Sequence, residues 1–195
     1  MIFHIFFIIL FSGFLLIRIV YRRKAVSSRQ RVEFGESILN MILRAVVGLG
    51  YVALLLGFVF YPPLLAWAVF PLPEWSRWIG MSVTSISVFL IWWVQWALGV
   101  QFDTTLHVRE GHQLVSHGPY RWVRHPMYSA LLLMGIGWLL LTANWFVGGG
   151  LIAGLLFIII SRVKKEENLM IETFGESYAD YMQRKGRFLP RIFKK

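Results

Sequence analysis

Apolar runs of about twenty residues, ended by prolines, glycines or blocks of cations, leave this chain few ways to fold. Met1 to about Val20, Ser37 to Phe60 and Ile79 to Leu98 are each long enough to cross a hydrocarbon core of roughly 30 Å. Two shorter runs, Pro126 to about Leu141 and Trp145 to about Ser161, are joined only by Thr142-Ala143-Asn144. So short a join demands an antiparallel helical hairpin. The expectation is an all-α polytopic membrane protein with about five transmembrane helices and a C-terminal cytoplasmic helical segment. Residues 1–98 would hold three spans and an outer interfacial segment. Residues 99–195 would hold a polar loop, the hairpin and an amphipathic tail. With 57% hydrophobic and 15% charged residues, the chain lies outside ordinary soluble composition.

The net charge of +10 is placed in blocks. Arg22, Arg23, Lys24, Arg29 and Arg31 follow the first run, and nearly all the remaining cations lie in the loop before Pro126 and the tail after Ser161. The outer connections carry at most Arg77. Positive charge collects on the cytoplasmic side, so the N-terminus is expected outside and the C-terminus in the cytoplasm. That pattern accounts for the basic balance without nucleic acid. A cleaved signal peptide would carry its positive charge before the apolar core, the reverse of the order here. Tyr61-Pro62-Pro63 ends the second run. Leu64 to Trp75 then reads as an outer-surface segment, with Trp67, Trp75 and Trp78 suited to an aromatic belt. Arg44 stands about two turns inside the second run and is expected to snorkel to the headgroups. The chain has no cysteine, which excludes disulfides and thiolate chemistry.

Polar side chains dense enough to build a site occur in two stretches, the loop up to Tyr128 and Arg162–Glu167. Pro126 is tolerated in the first turn of a helix, so a helix is expected to begin there. The N–H groups of that turn favour an anion, and Arg121, Arg124 and His125 add positive charge at the same corner. The hairpin sets the start of one helix and the end of the other at one depth, so His125 and Glu166 are expected to face one pocket. Adjacent residues on a helix point about 100° apart. One of Glu166 and Glu167 should therefore face the pocket, and the other water or a lysine. An i, i+4 pair with Arg162 reads Glu166 equally well. His107, His112, His117 and His125 match no metal-ligand spacing, and no glycine-rich phosphate loop is present. Gln95 reads equally as facing a partner helix or a ligand cavity. Gly135, Gly137, Gly148, Gly149, Gly150 and Gly154 would permit close helix contact. Gly175 is placed to end the last helix. Glu176 to Lys185 then forms an amphipathic helix with Tyr178, Tyr181 and Met182 on its apolar side. Arg184, Lys185, Arg187, Arg191, Lys194 and Lys195 would hold it to anionic lipid.

His112-Gln113-Leu114-Val115, Gly118-Pro119-Tyr120 and Arg124-His125-Pro126-Met127-Tyr128 are followed, after one hairpin, by Arg162, Glu166-Glu167, Phe174-Gly175, Tyr178, Tyr181, Arg187 and Pro190. In these blocks and their order the chain resembles the isoprenylcysteine carboxyl methyltransferase family, and is similar to phospholipid N-methyltransferases. The resemblance implies an S-adenosylmethionine-dependent methyltransferase in a prokaryotic inner membrane. Its acceptor would be a prenylated or other lipophilic small molecule, by isoprenylcysteine-type carboxyl O-methylation. It implies that His112, Gln113, Leu114, Val115 and Tyr120 line the adenine and ribose. His125, Pro126, Met127 and Tyr128 would hold the methionine moiety, with Glu166 as acidic cofactor ligand and Arg162 orienting the acceptor's carboxylate. An N- or S-methyltransferase, a sterol-reductase-like enzyme and a non-enzymatic membrane scaffold are the competing readings.

Overall fold

The computed structural model describes residues 1–26, 38–99 and 114–191. Expectations for His107, His112, Gln113, Lys194 and Lys195, and for the side chain of Arg44, lie outside the described residues. The described residues form six α-helices: α1 (Ile2–Val26), α2 (Ile38–Phe60), α3 (Glu74–Leu98), α4 (Pro126–Thr142), α5 (Trp145–Phe174) and α6 (Glu176–Arg184). Short 3-10 turns at Pro62–Ala68 and Gly118–Arg121 link them. Among the described residues there is no strand, only the isolated bridges Val69–Asn144 and Val123–Gly186.

Among the described residues three helices, α1, α3 and α5, are long and apolar enough to cross a membrane, and the chain is an integral membrane protein. The second run breaks where Tyr61-Pro62-Pro63 was expected to end it. Ala45–Phe60 and the turn Pro62–Ala68 meet at 111°, because prolines at the start of the turn cannot continue α2. The fourth run makes a helix of only 17 residues, about 25 Å at 1.5 Å per residue, shorter than a full hydrocarbon core. α4 is enclosed by other helices for much of its length, so its depth is set by packing rather than by lipid.

The core forms around Trp138 of α4, which is 1% exposed. Phe7, Phe11 and Phe14 of α1 meet its ring edge-on at 5.4, 5.6 and 6.1 Å, a geometry that sets positive ring edges against negative faces. Two glycines let α4 approach its neighbours at backbone distance. A methyl at Gly137 would meet Thr84 of α3, and one at Gly148 would overlap the Leu139 backbone. The expectation of close contact fails at Gly149 and Gly154, where nothing lies within 4 Å.

The hairpin turn is built by Ala143 and Asn144. Ala143 takes a left-handed conformation (φ 51°, ψ 40°), and the Asn144 side chain accepts from the N–H groups of Phe146 and Val147. Its amide nitrogen donates to Leu65 O at 2.8 Å, which ties the turn to the 3-10 segment. One buried side chain thus caps α5 and anchors its neighbour.

Candidate active site at the start of the fourth helix

α4 starts at Pro126, as its fixed φ and missing N–H favour, and no side chain caps that end. His125 is the N-cap residue (φ −124°, ψ 60°). The approach is fixed by the turn Gly118–Arg121, where Gly118 takes φ 57°, a conformation glycine adopts without strain. The Tyr181 hydroxyl of α6 donates to Tyr120 O at 2.6 Å. Beyond α6 the tail runs back beside the approach. Arg124 N–H donates to Gly186 O (2.9 Å), His125 N–H to Arg187 O (3.0 Å) and the Ser129 hydroxyl to Phe188 O (2.6 Å).

α5 supplies the carboxylates. Glu166 accepts from the Tyr128 hydroxyl at 2.8 Å, lies 3.4 Å from Arg162 Nε, and is 3.7 Å from His125 Nδ1. Glu167 is 3% exposed. It takes Arg124 at 3.1 Å and His125 Nε2 at 3.3 Å. Arg187 grips both its oxygens, through Nε at 3.1 Å and through Nη2. Bidentate guanidinium–carboxylate pairs are among the strongest hydrogen-bonded contacts available to side chains. Both nitrogens of the His125 ring therefore face carboxylate oxygens, one from each glutamate. Three guanidinium groups meet two carboxylates here, which leaves positive charge in surplus for an anionic ligand. Burial, the Tyr181 phenol and the Glu166 carboxylate push the Tyr120 hydroxyl well above its ordinary pKa, so Tyr120 stays a neutral donor beside Glu166.

Residues 78–172, about half the chain, match the isoprenylcysteine carboxyl methyltransferase (ICMT) family. This segment belongs to that family. Protein-S-isoprenylcysteine O-methyltransferase of Tribolium castaneum is 28% identical over 121 residues, 61% of this chain and 43% of that one. The Mus musculus protein of the same name is 35% identical over 81 residues, 42% of this chain and 29% of that one. The uncharacterized protein YpbQ of Bacillus subtilis is 36% identical over 59 residues, 30% of this chain and 35% of that one. The chain spans about a third to a half of the length of the curated relatives it matches. Among solved structures, that of the eukaryotic intramembrane Ras methyltransferase ICMT has the same fold. Its TM-score is 0.58 over 94% of this chain and 67% of that chain, at 22% identity.

Tyr120, His125, Pro126, Met127, Tyr128, Arg162 and both glutamates lie within the ICMT segment, and Arg187 lies beyond it. His125, Tyr128, Arg162 and Glu166 converge as the hairpin requires. Leu114 and Val115 are half-buried just ahead of the Gly118 turn, and Met127 packs against the apolar core. Two expectations are corrected. Glu167 turns inward rather than toward water or a lysine, because guanidinium groups from two loops receive it. The apolar side of α6 meets protein, with Tyr178 and Tyr181 buried, and Arg187 pairs with Glu167 instead of reaching lipid. The missed signal was the spread of Arg124 and Arg187 on either side of one glutamate. Helical spacing does not register partners that arrive from loops.

Proposed function

We propose that this chain transfers a methyl group from S-adenosylmethionine to a lipophilic acceptor at the cytoplasmic face of the membrane, by isoprenylcysteine-type carboxyl O-methylation. The observation that carries the reading is the convergence of Glu166, His125 and Tyr128 at an uncapped helix start. The family of the matched segment supports it. The residues fit the cofactor's charges. The uncapped N–H groups of Met127 and Tyr128 suit its carboxylate, and Glu166 suits its cationic groups. Leu114, Val115 and Tyr120, with His112 and Gln113 beyond the described residues, are assigned to adenine and ribose. When bound, S-adenosylmethionine supplies an electrophilic methyl group. Arg162, already paired to Glu166, is assigned to hold the acceptor's carboxylate by its planar guanidinium. Such an acceptor is ionised at neutral pH and asks no proton removal of the protein. The side chains then contribute alignment and exclusion of water. The charge blocks support a cytoplasmic position for this end of the bundle, with the N-terminus outside.

The test is binding of S-adenosylmethionine to the purified chain in detergent. Glu166→Ala and His125→Ala are each expected to weaken it by about tenfold or more, the loss of at least one charge-assisted contact. If both variants bind as the parent does, the site is elsewhere. Incubating membranes with methyl-labelled cofactor, then identifying the lipid-soluble product, separates a prenylated acceptor from another small lipophilic molecule.

A further inference from the structure

The buried face of α3 includes a stripe of Ser76, Gly80, Thr84, Ser87, Ile91 and Gln95. Its hydroxyls are satisfied locally: Ser76 donates to Pro73 O, Thr84 to Gly80 O and Ser87 to Val83 O. Gln95 differs. Its side chain is 0% exposed, and neither its amide nitrogen nor its amide oxygen has a hydrogen-bond partner among the described residues. Buried polar groups in folded proteins are almost always bonded, so an orphaned carboxamide points to something that binds it.

The helix register gives its level. Gly80 lies against Leu140 and Leu141, and Thr84 against Gly137, so α3 and α4 run antiparallel along this stripe. The same register, continued toward the end of α3, brings Gln95 to Pro126. Its neighbours on α3 agree. The Trp93 ring meets Trp122 at 5.5 Å, and Gly118 lies against Ala97. Gln95 thus stands at the level of His125, supplied from α3 where Glu166 is supplied from α5.

We propose that Gln95 binds the α-amino-carboxylate end of the methyl donor. A carboxamide presents donors and an acceptor side by side. A bare carboxylate satisfies the nitrogen but sets its charge against the amide oxygen, and a bare ammonium does the reverse. A zwitterion carrying both groups satisfies both atoms. The uncapped start of α4 draws the carboxylate to the same level. This assignment rests on the methyl-donor reading given under Proposed function.

The test compares two ligands on the full chain in detergent micelles. S-adenosylhomocysteine and 5′-methylthioadenosine share adenosine and sulfur, and only the first carries the amino-acid end. Gln95→Leu removes the carboxamide at similar volume. The expected result is a loss of about tenfold in affinity for S-adenosylhomocysteine, the scale of a charge-assisted hydrogen bond, with methylthioadenosine affinity unchanged. The ligand-free Tm does not fall, since no bonded partner is lost. Equal weakening of both ligands, or weakening of neither, overturns the assignment. Gln95→Met repeats the comparison if the leucine variant fails to fold. A parent chain that binds neither ligand defeats the methyl-donor reading and this assignment with it. A parent that binds both, matched by Gln95→Leu, defeats only the role given to Gln95.

Discussion

The seam between α4 and α5 and the ion cluster at its polar end are both buried, yet they are held in opposite ways. Along the seam, glycines and one asparagine bring backbones together, and the contacts lie close in sequence. At the polar end, Glu167 collects Arg124 and Arg187 from loops on either side of the hairpin. Seam packing tolerates changes that preserve volume. A buried carboxylate stripped of its partners, or partners stripped of their carboxylate, has no such substitute. The seam therefore carries stability, and on the proposed reading the cluster carries stability and cofactor binding together.

The variant that strikes the cluster hardest is Glu167→Ala. It leaves Arg124 and the His125 ring without their carboxylate, and a loss on the order of 3 kcal/mol is expected from breaking a buried pair. Thermal unfolding in detergent reads the loss, and cofactor binding falls with it. A variant that binds cofactor normally would show that the cluster is only a brace. Gly148→Ala attacks the seam, where the added methyl overlaps the Leu139 backbone. Overpacking of this kind costs about 1–3 kcal/mol, but the folded fraction should bind cofactor as the parent does. A binding defect there would erase the contrast between the regions.

The smallest effect is one of pH. Burial, then the nearby Glu167 carboxylate, pushes the Tyr178 hydroxyl up to about 12. Its folded pKa is raised above the unfolded value of about 10, so its contribution is complete below pH 10 and is lost as pH rises through 12. Tyr178→Phe should flatten that alkaline decline in Tm. An unchanged slope would mean that the phenol is not sheltered by α6.

Much of this architecture was legible in the residues. Pro126 marked a helix start and Gly175 a helix end because each constrains one backbone conformation. Thr142-Ala143-Asn144 was too short to join anything but antiparallel neighbours. The approach of His125 to Glu166 followed from that hairpin. Other features were not legible, for reasons of geometry. Amphipathicity told that Tyr178 and Tyr181 would be covered, but not whether protein or lipid would cover them. The break at Tyr61-Pro62-Pro63 and the short fourth run were legible, but the 111° angle of that bend depends on packing that an apolar run does not record. The i, i+1 argument expected one of Glu166 and Glu167 to face water or a lysine, yet both face the cluster, because the argument saw only the helix.

The residues that run back beside His125 are Gly186, Arg187 and Phe188, which follow every other member of the cluster along the chain. Synthesis therefore delivers them last, after both arms of the hairpin have been made. Until Phe188 has been added, the approach to α4 lacks the segment that pairs with Arg124, His125 and Ser129.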